Sequence, residues 1–121
     1  MANLKSNIQQ LAKDFFTETV ENRRHLHQNP ELSFEEYQTS AFVKQKLDEL
    51  NIPYQTMANT GVVGIIKGEL ASDKVIALRA DMDALPITEV EGRSYGSQNP
   101  GVMHACGHDV HTSSLLGVAK I

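Results

Sequence analysis

With 121 residues the chain can hold at most one ordinary domain. Its 40% hydrophobic and 21% charged residues exclude a disordered chain. Fifteen acidic residues against eleven basic ones give a net charge of −4, with no basic run longer than Arg23-Arg24, so nothing marks a nucleic-acid partner.

The elements are read in chain order. Leu4, Ile8, Leu11 and Phe15 recur at helical spacing and Leu26 falls on the same stripe, which predicts one amphipathic helix from Leu4 to about Gln28. Asn29-Pro30 ends it, since the residue before a proline is driven out of the helical region. Ser33 and Glu36 have capping-box spacing, with Leu32 and Tyr37 placed as a hydrophobic staple. The helix that follows has an apolar side of Phe34, Tyr37, Ala41, Leu47 and Leu50, and Asn51 before Pro53 stops it. Strands are expected over Tyr54–Met57, Val62–Lys67 and Val75–Ala80, with a turn over Glu69–Lys74. The last, VIALRA, is so evenly apolar that it reads as a strand covered on both faces. Asp81 to Asp109 is punctuated by Pro and Gly and reads as loop, and a helix begins near His111 and runs to Ile121. Helices, then strands, then a helix predict an α/β architecture.

No apolar stretch approaches the roughly 18 residues of a membrane span, and the N-terminus lacks the apolar core of a secretory signal, so cytoplasmic residence and no membrane partner are expected. Cys106 is the single cysteine, which rules out an internal disulfide and suits a reducing compartment.

Chemistry concentrates in Met103-His104-Ala105-Cys106-Gly107-His108-Asp109-Val110-His111. Thiolate and imidazole are preferred ligands of zinc and its neighbours. In an extended backbone residues two apart point the same way, and Gly107 lets the loop bend, so Cys106 and His108 are positioned to share an ion. Asp109 is a candidate to accept the other ring N–H of a histidine ligand. A closed structural zinc site is excluded by the lack of a second spaced ligand pair. Against this stands a plainer reading, histidines on a surface loop beside a buried cysteine. A second constellation, Arg79-Ala80-Asp81-Met82-Asp83-Ala84-Leu85-Pro86, follows the VIALRA segment, where α/β proteins place their sites. Its carboxylates, Asp81 and Asp83, either orient a metal-binding histidine or coordinate an ion, or merely shape the turn before Pro86. His25 and His27 lie about 200° apart on a helix. They are read as residues favouring the negative end of the helix dipole. A thiol nucleophile at Cys106 is disfavoured, because nucleophile and base normally come from different elements. Gly61-Val62-Val63-Gly64 lacks the spacing and lysine of a phosphate cradle.

The motifs RRHLHQNPELSFEE, ALRADMDALPITE and GVMHACGHDVHTSSLLG, in that order, resemble the amidohydrolase branch of the zinc-dependent aminoacylase/carboxypeptidase family, which includes hippurate hydrolases, N-acyl-amino-acid amidohydrolases and auxin-conjugate hydrolases. The likeness runs from about residue 20 to the end. It implies that residues 1–121 are the N-terminal portion of a zinc-exopeptidase-type catalytic domain, helices flanking a mostly parallel sheet. Two divalent metals are implied, zinc or manganese, with cobalt or nickel as options, and water as the attacking group on an N-acyl amino acid. Carried over by position, Cys106 and His108 are the first two metal ligands and Asp83, beside Asp81, is the orienting carboxylate; His104, Asp109 and His111 are motif residues without an assigned role. The general-base glutamate, the remaining ligands and the small dimerisation domain belong beyond Ile121. The chain alone is therefore expected to be an inactive fragment, and truncation at the sheet predicts a homo-oligomer. The competing expectation is a non-catalytic metal-binding or interaction module that kept the fold.

Overall fold

A computed structural model describes residues 3–121. Four helices and one hairpin make up the regular structure: α1 (Leu4–Asp14), α2 (Phe16–Gln28), α3 (Tyr37–Glu49), β1 (Tyr54–Met57), β2 (Gly61–Gly64) and α4 (His108–Lys120). The single helix expected over 4–28 is thus two, broken at Phe15. α1 buries none of its residues; Leu4 and Ile8 of its apolar stripe face solvent. Only the lower end of the stripe is covered: Leu11 and Phe15 are half-buried, with the Lys120 ammonium 4.5 Å from the Phe15 ring. α2 ends at Asn29, as the proline requires.

α3 starts later than its capping-box spacing predicts. Ser33 turns away to donate its hydroxyl to Asp83 Oδ2 at 2.6 Å. The free N–H groups of the first turn go instead to Glu31: Thr39 N–H donates to Oε1 at 2.6 Å, Gln38 N–H to Oε2 at 3.1 Å. A carboxylate here also meets the positive end of the helix dipole. The staple is not formed, since Tyr37 is exposed and Phe34 sits in the left-handed region at φ 66°. The buried face of α3 is Thr39, Ser40, Val43 and Leu47, rotated from the expected one. Asn51, at φ 55°, stops the helix as predicted.

β1 and β2 pair antiparallel, Tyr54 opposite Gly64 and Met57 opposite Gly61. β1 has the expected limits, while β2 is shorter than Val62–Lys67. The strand expected over Val75–Ala80 is not formed: Val75 is 91% and Ile76 87% exposed. A strand exists only where another strand supplies hydrogen-bond partners, and the described residues offer none. Between Ile66 and Leu78 the one side-chain or backbone hydrogen bond is the local one from Lys74 N–H to Ser72. The sheet of this α/β fold is, among the described residues, the one hairpin.

A small core joins these elements. Val43 and Leu47 of α3 meet Leu116 of α4, with Phe42, Ile52, Tyr54, Val62 and Met82 against them. α4 also packs along α2, where Gly117 lies so near Thr19 that a Cβ would stand 3.2 Å from its hydroxyl. Lys120 pairs with Glu18 across the same seam. Two isolated bridges then fasten the long loop, Leu32 to Ala84 in parallel and Leu85 to Met103 in antiparallel sense. They bring residues 31–33, 83–85 and 102–108 together at the start of α4.

This distribution of burial sets the mutational response. Leu47→Ala is expected to cost about 2–5 kcal/mol of unfolding free energy, as other buried leucines do. Val75→Ala is expected to change it by less than about 0.5 kcal/mol. Urea unfolding followed by circular dichroism measures both, and equal losses would show that the VIALRA segment is packed in solution.

Candidate metal centre

The site is assembled at the N-terminus of α4. Gly107, at φ 83°, is the residue before the helix, and its left-handed backbone is one that an L side chain resists. It turns the chain sharply, so Cys106 and His108 do not sit on one extended run: Cys106 is exposed, and His108 is the first helical residue. The reason given for their convergence, alternation along an extended backbone, is therefore not how this segment is built.

His108 has a defined partner. Its Nδ1 lies 2.9 Å from the carbonyl oxygen of Asp83 and 3.0 Å from Asp83 Oδ1. Both are acceptors, so Nδ1 carries a proton, and in the neutral ring Nε2 is then the nitrogen with the lone pair. This is the arrangement in which a carboxylate fixes the tautomer and angle of a ligand imidazole. Asp83 is itself fixed by the Ser33 hydroxyl, which, with the His108 ring alongside, holds its carboxyl below the usual carboxylate range. Asp81 does not join this cluster. Its carboxylate pairs with Arg79 at 2.7 Å on the surface, while its carbonyl oxygen accepts from Thr112 of α4 at 2.8 Å.

A charged network missed by the sequence reading lies just inside. His27 is 1% exposed, with Nδ1 2.7 Å from Asp109 Oδ2 and Nε2 2.7 Å from Glu89 Oε1. Two ionised carboxylates can only accept, so each ring nitrogen must donate and the imidazolium form is the one that satisfies both. Arg23 Nε donates to the same Asp109 oxygen at 2.8 Å. Arg93 Nε also lies 3.8 Å from Glu89 Oε1, so positive groups stand against both carboxylates, the pairing that lets charge remain buried. The assignment of His27 as a mere helix-end residue is corrected by these contacts; its partners lie 62 and 82 residues away, beyond any local signal. His25, by contrast, stacks on Phe42 with centroids 4.3 Å apart, outside the network. The Arg23 guanidinium also lies 5.0 Å from the Tyr95 ring, and its hydrogen bond draws the phenol below its ordinary value.

His104 stands between the two carboxylate–imidazole groups. It is 5% exposed, and neither ring nitrogen has a hydrogen-bond partner among the described residues. Burial pushes its imidazole below the ordinary histidine value, with Asp109 acting in the opposite sense. His111 is exposed one turn from His108, the ring centroids 5.8 Å apart. Among the described residues no three His, Cys, Asp or Glu side chains gather closely enough to enclose a metal ion. A poised imidazole, an exposed thiol and an orienting carboxylate therefore make at most part of a centre.

Comparisons with known proteins match this pattern. Residues 77–121 match the profile of peptidase family M20/M25/M40. A crystal structure of the Bacillus subtilis YXEP protein, described as a dinuclear metal binding peptidase of family M20, superposes with a TM-score of 0.84 at 44% identity. In sequence and in fold the chain is similar to peptidase family M20. The YXEP match covers 89% of this chain and 30% of that one. A second structure, from methicillin-resistant Staphylococcus aureus, gives a TM-score of 0.88 at 42% identity over 96% of this chain and 31% of its own. Among curated relatives, the IAA-amino acid hydrolase ILR1-like 5 of Arabidopsis thaliana is 48% identical over all of this chain and 28% of its own length. The N-acyl-L-amino acid amidohydrolase of Geobacillus stearothermophilus is 47% identical over 97% of this chain and 32% of its own. The chain thus spans under a third of the length of these relatives.

Glu89 gives the network a pH signature. The His27 N–H, together with the Ser97 backbone N–H at 2.6 Å, holds its carboxyl below the ordinary glutamate value. A carboxyl depressed by folding adds stability that is present above its unfolded pKa and is lost as pH falls through the lower folded value. Glu89→Gln is therefore expected to flatten the loss of stability below about pH 4.5. Unfolding free energies measured between pH 3 and 7 check this; parallel wild-type and variant curves would contradict it.

Proposed function

We propose that these 121 residues are the N-terminal, ligand-bearing portion of the catalytic domain of a metal-dependent amidohydrolase that cleaves the amide bond of N-acyl amino acids, with hippurate within its range. The observation that carries the reading is the engagement of His108 Nδ1 by Asp83, which leaves Nε2 available as a donor atom. The relatives' names, which speak of N-acyl-L-amino acids and IAA-amino acids, supply the substrate class. In this reading Cys106 and His108 are metal ligands and Asp83 is the orienting carboxylate.

A bound divalent ion, zinc or manganese with cobalt or nickel as alternatives, would polarise the amide carbonyl and make a water acidic enough to attack near neutral pH. The chain's own residues prepare for it. Asp83 takes the Nδ1 proton of His108 in a hydrogen bond and so holds the ring in one tautomer; Ser33 stops Asp83 from rotating away. Cys106, being exposed, is open to a cation arriving from solvent. The general-base glutamate and the further ligands would come from outside these residues, in keeping with a span of less than a third of the relatives' length. Two protein donors leave an ion mostly hydrated, and the chain alone is inactive on this reading. Cytoplasmic residence fits the single cysteine; no helix among the described residues is long and apolar enough to cross a membrane. The exposed apolar residues 75–78 favour self-association into a homo-oligomer.

The test is a titration of the purified chain with Co2+ and Zn2+. Cys106→Ala and His108→Ala are each expected to weaken binding at least about tenfold, and Asp83→Asn by about 10–100-fold through loss of the orienting bond. Binding that all three substitutions leave unchanged would end the metal-centre reading. Turnover of hippurate or an N-acetyl-amino acid by the chain alone would refute its inactivity.

A further inference from the structure

We propose that Asp109, clamped by His27 and Arg23, is a positioning residue that sets the direction of the His108 ring. The proposal deepens the metal-centre reading above, in that His108 is the ligand being positioned.

Asp109 follows His108 in the first turn of α4 and is 1% exposed. Its Oδ2 receives both Arg23 Nε and His27 Nδ1 from α2, and its Oδ1 accepts from the Val110 N–H. His27 is tied in turn to Glu89, which is fastened to the Ser97 N–H. The first turn of α4 is thereby joined to α2 and to the 89–97 loop by charge-assisted bonds at one point. A carboxylate bonded from two sides defines both the height of that turn and its rotation about the helix axis. Residue 108, one position earlier, inherits both. Its ring then needs only the Asp83 contacts to be fully directed.

The lower end of α4 is held differently. Leu116 packs in the apolar core, and Lys120 meets Glu18. Those contacts retain the helix without choosing its rotation so narrowly, because apolar packing lacks the directionality of paired hydrogen bonds. If stability were the only task, apolar residues of similar volume would serve the buried position as well or better. A buried four-charge cluster next to a ligand histidine is better explained by orientation.

The experiment compares Asp109→Asn and His27→Gln with Leu116→Ala, a variant of the same helix that weakens its packing and leaves the charged cluster intact. Long-range 15N–1H correlation spectra report the tautomer of each imidazole without any metal. Wild type is expected to show His108 as a single Nδ1–H tautomer. Both network variants are expected to show a mixture, and Leu116→Ala the wild-type pattern despite a lower melting temperature. Co2+ titration of the same proteins is expected to show binding weakened about 10-fold or more in the network variants and within twofold of wild type in Leu116→Ala. A His108 tautomer unchanged in the network variants, or equally disturbed in Leu116→Ala, would overturn the positioning role. Should Asp109→Asn fail to fold, His27→Gln decides alone. Should wild type bind no Co2+ through Cys106 and His108, the metal-centre reading fails, while the tautomer comparison still decides whether Asp109 directs the ring.

Discussion

The structure depends on one arrangement: an imidazole sealed between two carboxylates, with a guanidinium on the far side of one of them. Removing water from four charged groups costs several kcal/mol per ion unless each finds a partner with good geometry. Here each does, and the partners come from α2, the long loop and α4. The long loop has little regular structure of its own, and this cluster is one of few places where it is fastened. Other fastenings include the bonds of Gln98 and Asn99 to the Gln28 and Pro30 carbonyls and the bridges at Ala84 and Leu85, which bring the acidic turn to the same helix end. Helix packing, loop path and ligand geometry thus meet in a volume a few residues wide.

The elements with local causes were legible in the sequence. Pro30 ends α2, Asn51 ends α3, and β1 falls between Pro53 and the hairpin turn, each from the conformational limits of one or two residues. The features that failed were set by distant groups. Ser33 has the spacing of a capping box, yet Asp83, fifty residues on, competes successfully for its hydroxyl, and Glu31 takes over the helix end. His27 looked like a helix-terminal residue because nothing near it in sequence announces Asp109 or Glu89. VIALRA illustrates the opposite error. Its composition suits burial, but composition cannot supply a neighbouring strand.

The site was legible in its parts more than in its geometry. The density of His, Cys and Asp between 103 and 111 marked the segment, and the family resemblance singled out Asp83, Cys106 and His108. The contact between Asp83 and His108 follows from the bridge that brings Leu85 to Met103, a pairing with no sequence signature. The left-handed turn at Gly107 could have been suspected from the glycine itself. It means that Cys106 and His108 belong to different local structures, one on the approach to the helix and one within it.

The stretch from Ile66 to Leu78 carries a further consequence. Among the described residues it makes no hydrogen bond to the body of the molecule, and it serves as a leash between the hairpin and the acidic turn. The entropy of closing such a leash changes slowly with its length. Residues could be added or lost there with little effect on where Asp83 comes to rest, and amide protons along it should exchange with solvent far sooner than those of α2 or α4. The helix-end site is in that sense mechanically insulated from one of the most exposed stretches of the chain.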